Sequence, residues 1–206
     1  MISRLIFLIV LNFSNSACAQ AEGQLYTVGQ TSNLFGEYSF IDSKGDTIRK
    51  LPDKKYNFCF TRKFVNFAIF GISDKSGWYA IDINEKILFQ IYNTSYGEVS
   101  PDTIIEDKIR IIDKDKKIGF AHKNGQIIIP PQFEEASHFD NGFAIISEDC
   151  EKIPWQQHNN HSGCQHFSTK CRRNGYINAK GEIIKIGDYT VEELEKEIRR
   201  KKSRKK

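Results

Sequence analysis

One ten-residue pattern occurs four times in this chain of 206 residues, and no other feature restricts its possible folds as strongly. The copies are Ser39–Ile48, Tyr79–Leu88, Gly119–Ile128 and Gly175–Ile184. The first three begin 40 residues apart, and the fourth begins 56 residues after the third. Self-similarity at such a period marks an array of small units that bury their apolar faces against one another. The long third interval contains Cys150–Cys171, a stretch rich in cysteine and histidine, which reads as an insertion into a regular array.

Each copy has the form of a β-hairpin. Alternating residues, as in Gly175-Tyr176-Ile177-Asn178, lead into a polar turn with Lys44-Gly45, Asn124-Gly125 or Lys180-Gly181 at its tip. Glycine there supplies the positive φ that a tight turn demands. The second copy has Asn84-Glu85 instead, with Asn84 expected to take the left-handed conformation. A third strand is expected before each hairpin, and it is located for three of them at Phe67–Phe70, Ile109–Ile112 and Phe143–Ile146. One such meander buries a single face and is not stable alone, so successive meanders must stack. Phe40, Phe58, Phe60, Phe67, Trp78, Phe89, Phe120, Phe133, Phe139, Phe143 and Tyr176 recur at related positions and are expected in the core. The predicted fold is all-β: tandem antiparallel β-meander repeats, open or propeller-like, with a short C-terminal helix. The expected divisions are a lead-in at 20–35, a repeat domain at 36–188 and a helix with a basic tail at 189–206.

The third copy with its surroundings resembles a WG repeat. The residues that carry the likeness are Lys117-Ile118-Gly119-Phe120, Asn124-Gly125, Ile128–Ala136 and Phe139–Ala144. Gly175-Tyr176-Ile177-Asn178 begins a further copy, while Tyr38–Asp42 and Trp78–Asp82 keep the Ile-Asp pair and lose the glycine. The Trp-Gly pair itself is absent, and Gly77-Trp78 reverses it. The resemblance implies a bacterial protein with an interaction or scaffold role and no general set of catalytic residues.

The N-terminus reads as an export signal over residues 1–19. Arg4 gives the positive end, Leu5–Leu11 the apolar stretch, and Ala17 and Ala19 the small residues before cleavage at Gln20. The apolar stretch is too short to span a bilayer, so no membrane span is expected. Ser16-Ala17-Cys18 also resembles the end of a lipoprotein box, which would anchor the chain at Cys18. On either reading the chain is exported, and it would be periplasmic or secreted if not anchored. In an oxidising compartment Cys59, Cys150, Cys164 and Cys171 favour disulfides. Three full pairings are open. Cys150–Cys171 is favoured because each adjoins a strand at the base of the insertion, while Cys59 is either a buried thiol or the distant partner of Cys164. A second reading places zinc on His161, Cys164, His166 and Cys171, which are the right ligand types at a spacing that matches no standard finger.

Seven of the last eight residues are basic: Arg199, Arg200, Lys201, Lys202, Arg204, Lys205 and Lys206. Without them and Arg4, 22 basic side chains face 26 acidic ones. The body is therefore mildly acidic, which argues against nucleic acid as a partner. The tail is a candidate contact for an anionic surface. Thr190-Val191-Glu192-Glu193 forms a capping box that opens a helix from 190 to about 201. No nucleophile elbow, zinc-protease motif or phosphate-binding glycine loop is present in the sequence, so no enzyme is expected and no cofactor apart from the zinc alternative. Glu134-Glu135 and Glu148-Asp149-Glu151 read as solvated faces, and Asp113–Lys117 as a polar turn. The expected function is an exported, non-enzymatic interaction or scaffold module, with an envelope protein or glycan as partner. Metal binding by the insertion is the alternative.

Overall fold

The computed structural model describes residues 23–30, 36–94, 100–154 and 167–203. All four repeats are three-stranded antiparallel meanders. The first unit is β1 (Leu25–Gln30), β2 (Glu37–Ile41) and β3 (Thr47–Lys50). Two short strands follow, β4 (Tyr56–Cys59) and β5 (Lys63–Phe64). The second unit is β6 (Ala68–Ile72), β7 (Trp78–Ile81) and β8 (Ile87–Ile91). A small hairpin, β9 (Asn93–Thr94) with β10 (Ser100–Pro101), leads to the third unit. That unit is β11 (Lys108–Ile112), β12 (Ile118–His122) and β13 (Ile127–Phe133). After β14 (Glu135–Ala136) comes the fourth unit: β15 (Phe143–Pro154), β16 (Phe167–Asn178) and β17 (Ile183–Gly187). The chain closes with α1 (Val191–Ser203). The lead-in thus contributes β1, so the first hairpin also has its third strand.

The described strands do not close into a barrel. Units two and three join edge to edge through β8 and β11 in a seven-stranded sheet, while units one and four lie in separate four-stranded sheets. This is an open β-repeat array.

One turn geometry builds the hairpins. Asp42, Asp82, His122 and Asn178 each accept, through the backbone carbonyl, the amide of the residue three further on. Their side chains accept the amide two further on, at 2.8 Å for Asp42 and Asp82, 2.9 Å for Asn178 and 3.2 Å for His122 Nδ1. The residue three further on then lies at positive φ: Gly45 at 92°, Glu85 at 64°, Gly125 at 90° and Gly181 at 84°. Asp113 repeats the same turn between β11 and β12, with Lys116 at 62°. In the second unit it is therefore Glu85, and not Asn84, that occupies the left-handed position. The glycine at that place is a convenience of the turn, and Glu85 gives it up for contacts made by its carboxylate.

The cores lie between units. Tyr38, Phe40 and Tyr56 join Phe70, Ile72 and Ile81 between the first two units. Trp78, Ala80 and Phe89 join Ile109, Ile111 and Ala121 between the second and third. Phe120, Ile129 and Phe133 join Ala144, Ile146 and Ile177 between the third and fourth. Tyr176 packs with Leu194 and Ile198 of α1 in a last cluster. Side chains alternate across each strand, so one face of a sheet meets the unit before and the other the unit after. That is why β6, buried at all five positions, is an unbroken apolar run.

Most of the expected core aromatics are buried, and Phe143 is half-buried. Phe58 and Phe60 are not; they are 48% and 50% exposed. They belong to and follow β4, the edge strand of the seven-stranded sheet, beyond which no described strand covers them. They flank Trp78 instead, with ring centroids 6.4 and 4.4 Å away. The insertion also differs from a loop closed at its base. β15 and β16 pair without interruption of register from Phe143↔Asn178 to Pro154↔Phe167, so Cys150 and Cys171 lie within a long two-stranded arm.

Candidate functional site

The region around the arm, the third unit and α1 gathers the polar chemistry of the molecule. Cys150 and Cys171 are direct cross-strand partners with Cα atoms 4.0 Å apart, and they form a disulfide. Cys59 carries a free thiol, half-buried, that donates to the Thr61 carbonyl at 3.1 Å. Burial pushes that thiol up to about 11, so it is inert as a nucleophile at neutral pH. Cys164, His161 and His166 lie outside the described residues. Cys171 cannot join them around zinc while its sulfur is bonded to Cys150, and no cluster of three metal-ligating side chains occurs among the described residues.

Beside the disulfide, Glu134 and Glu135 line a cleft of about 420 Å³ with Tyr92, Lys117, Lys152 and Thr169. They are not a solvated face. Glu134 accepts the Cys150 amide at 2.8 Å and pairs with Lys117 at 3.2 Å, and these contacts, the amide first, lower its pKa. Burial raises that of Glu135. Glu134 thereby anchors the base of the arm to the third unit. On the far side of the arm, Lys170, Arg172 and Arg173 line a second cleft of about 600 Å³ with Asp149 and Asp188, and Arg173 pairs with Glu148 at 3.0 Å.

A buried ionic knot was not anticipated. The Asp102 carboxylate is wholly buried and holds the Arg110 guanidinium in a two-pronged contact at 2.7 and 3.1 Å, together with the Arg110 amide at 2.9 Å. The guanidinium also donates to the Ala136 carbonyl at 2.9 Å and lies 4.5 Å above the Tyr92 ring. His138 Nε2 lies 2.6 Å from the same carboxylate. One clue was available: Arg110 is a charge in the middle of the aliphatic strand Ile109–Ile112. Nothing near Asp102 in the chain marks it. His138 also borders a cleft of about 490 Å³ against α1, floored by Phe139, Phe143, Ile145 and Ile198 and rimmed by Ser137, Asp140, Glu195 and Arg199. These clefts are lined by both polar and apolar side chains.

The basic tail is divided. Arg199 pairs with Glu195 at 2.9 Å, and Arg200 is exposed. Lys201 faces the body, where its Nζ donates to the Tyr176 hydroxyl, pairs with Glu197 at 3.6 Å and lies 4.9 Å from the Tyr176 ring centroid. Lys201 therefore docks the helix. Lys202 is in α1, and Arg204, Lys205 and Lys206 lie outside the described residues. The capping box forms as expected, with the Thr190 amide donating to Glu193 at 2.9 Å and the Glu193 amide to Thr190 Oγ1 at 3.2 Å. Leu194 and Ile198, one turn apart, are buried against Tyr176. Their spacing signalled an apolar face that sequence reasoning passed over.

The fold defines the class as an open antiparallel β-repeat array. A family model described as WG containing repeat matches residues 118–149, and over that segment the chain is similar to proteins of that family. The matched segment runs from β12 through β13 and β14 into β15. One sequence repeat thus spans two sheets and carries the join between the third and fourth units. No curated protein matches the chain. No described helix is long and apolar enough to cross a membrane.

Proposed function

We propose that this chain is an exported, non-enzymatic interaction module of a bacterial envelope, and that its partner is an envelope protein held along the return strands of the repeats. One observation carries this reading. Two residues past the left-handed turn position, three of the four units present an exposed isoleucine, Ile87, Ile127 and Ile183, between 40% and 50% exposed, and the first unit has Thr47 there. In an array, such a row repeats an apolar contact at fixed spacing, which suits an extended partner. The leader-like segment 1–19 and the cysteine pair support export. Photo-cross-linkers at Ile87 and Ile127 should capture a single envelope protein in living cells, with equivalent probes at Lys44 and Lys180 as controls. Labelling equal at all four positions, or none at the isoleucines, rejects the reading. The intact mass of the same protein, beginning at Gln20 or at a lipid-modified Cys18, tests export separately.

A further inference from the structure

The units stack by one repeated contact. In the second, third and fourth units the turn residue at positive φ meets the return strand of the unit before. Glu85 lies 3.6 Å from Arg49 and accepts from Tyr56 Oη at 3.1 Å. A Cβ on Gly125 would stand 3.0 Å from Leu88, and one on Gly181 would stand 3.0 Å from Ile129. Arg49 and Ile129 hold equivalent places in the pairs Phe40↔Arg49 and Phe120↔Ile129, which Tyr176↔Lys185 repeats in the fourth unit, while in the second unit the contact falls on Leu88, one residue before Phe89 of the pair Ala80↔Phe89. So Lys185 and Tyr176 form the place on the fourth unit where the turn of a fifth would dock.

Helix α1 stands there. Its Glu197 accepts from Lys185 Nζ at 2.9 Å and from Tyr176 Oη at 2.7 Å. Glu85 makes the same ionic contact on the first unit, with Arg49, and accepts its tyrosine hydroxyl from Tyr56 of β4, on its own sheet. Leu194 and Ile198 cover Tyr176 as the next meander covers Phe40 and Phe120. A helix has thus taken both the ionic and the apolar contacts of a missing β unit.

Among the described residues the opposite end is open: nothing lies within 4 Å of a Cβ built on Gly45, the equivalent turn of the first unit. Ile41 is only half-buried, whereas its counterparts Ile81, Ala121 and Ile177 are fully buried against a preceding unit. We propose that α1 is a cap on a docking face built for a further β unit, and that when α1 leaves this face, the first unit of a second copy of this chain takes it. Such a contact is head-to-tail, so uncapped chains add to one another end to end.

The test uses the full chain with Leu194→Asp and Ile198→Asp, which expel α1, followed by analytical ultracentrifugation over a range of concentrations. The expected result is a concentration-dependent ladder of species absent from the wild-type chain. Adding Gly45→Lys should return the ladder to a single species, because a lysine there opposes Lys185. The turn tolerates that residue, since Lys116 holds the same position at φ 62°. A folded double variant that sediments like the wild type overturns the proposal, and so does a ladder indifferent to Gly45→Lys. If the double variant loses its β-sheet dichroism, Glu197→Arg, which keeps the apolar contacts and repels Lys185, is judged by the same two outcomes.

Discussion

Glu85 holds a backbone conformation that costs a non-glycine residue roughly 1–2 kcal/mol, and it does so because its carboxylate reaches Arg49 across the unit boundary and Lys55 and Tyr56 beside its own unit. Gly119 illustrates the opposite need. A Cβ there would stand 2.5 Å from the Ile129 carbonyl oxygen and 2.5 Å from the Pro131 nitrogen, because Pro130-Pro131 bulges over the strand. Gly119→Ala should therefore lower unfolding stability by about 1–3 kcal/mol, as overpacking does, in a urea titration. The ionic knot is more demanding. Asp102→Ala leaves the Arg110 guanidinium, 11% exposed, without its carboxylate. Loss of about 3–5 kcal/mol is expected by the same measurement, whereas the paired replacement Asp102→Leu with Arg110→Met should be much milder. Of these residues, Gly119 was marked by its motif. Asp102 was not, because its partner strand and the His138 loop come together only in the folded array.

At the scale of the elements, the arm and the helix are attachments held by few contacts. The disulfide joins positions 21 residues apart, and closing such a loop contributes about 3 kcal/mol in the chain-entropy model. Reduction should raise amide exchange in residues 148–154 and 167–173 well before it affects β11 and β12, as read by hydrogen-exchange mass spectrometry. Helix α1 depends on charge. Hydrogen bonds from Thr190, the amide first, and from Tyr176 and Lys185 hold Glu193 and Glu197 below the ordinary value of 4.5. The stability they supply is present above 4.5 and is lost as pH falls through their lowered values. Lys185 and Lys201 are raised above 10.5 by bonds to Glu197 and Tyr176, so their share is present below 10.5 and is lost as pH rises through the raised values. Docking of α1 should therefore be firm across the neutral range and fall at both extremes. The shifts of the Leu194 methyls against the Tyr176 ring, followed by NMR, check this. The capping box and the Cys150–Cys171 pair were legible because each rests on local spacing. The length of the arm was not, since residues on either side of a disulfide keep pairing only if the register allows it.

For the whole molecule, the placing of each core between two units makes neighbouring units depend on one another. Phe120 is 1% exposed and packs edge-on to Phe139 with centroids 4.7 Å apart, in the cluster shared by the third and fourth units. Phe120→Ala should cost about 3–5 kcal/mol, and exchange protection should fall in β15 and β16 as well as in β12. Protection lost in β12 alone would contradict the shared core. The sequence by itself determined that there are four hairpins and where each turns. It also determined where the helix begins, and it favoured Cys150 with Cys171 among the open pairings. Each of these follows from interactions between residues close in the chain or from a period that repeats along it. Only the tertiary structure decided that Leu25–Gln30 completes the first meander, that Phe58 and Phe60 stay outside, that Asp102 is buried against Arg110, and that α1 stands in the position of a fifth unit. Those outcomes depend on which face meets which neighbour, and burial is a property of the pair of surfaces and not of either segment alone.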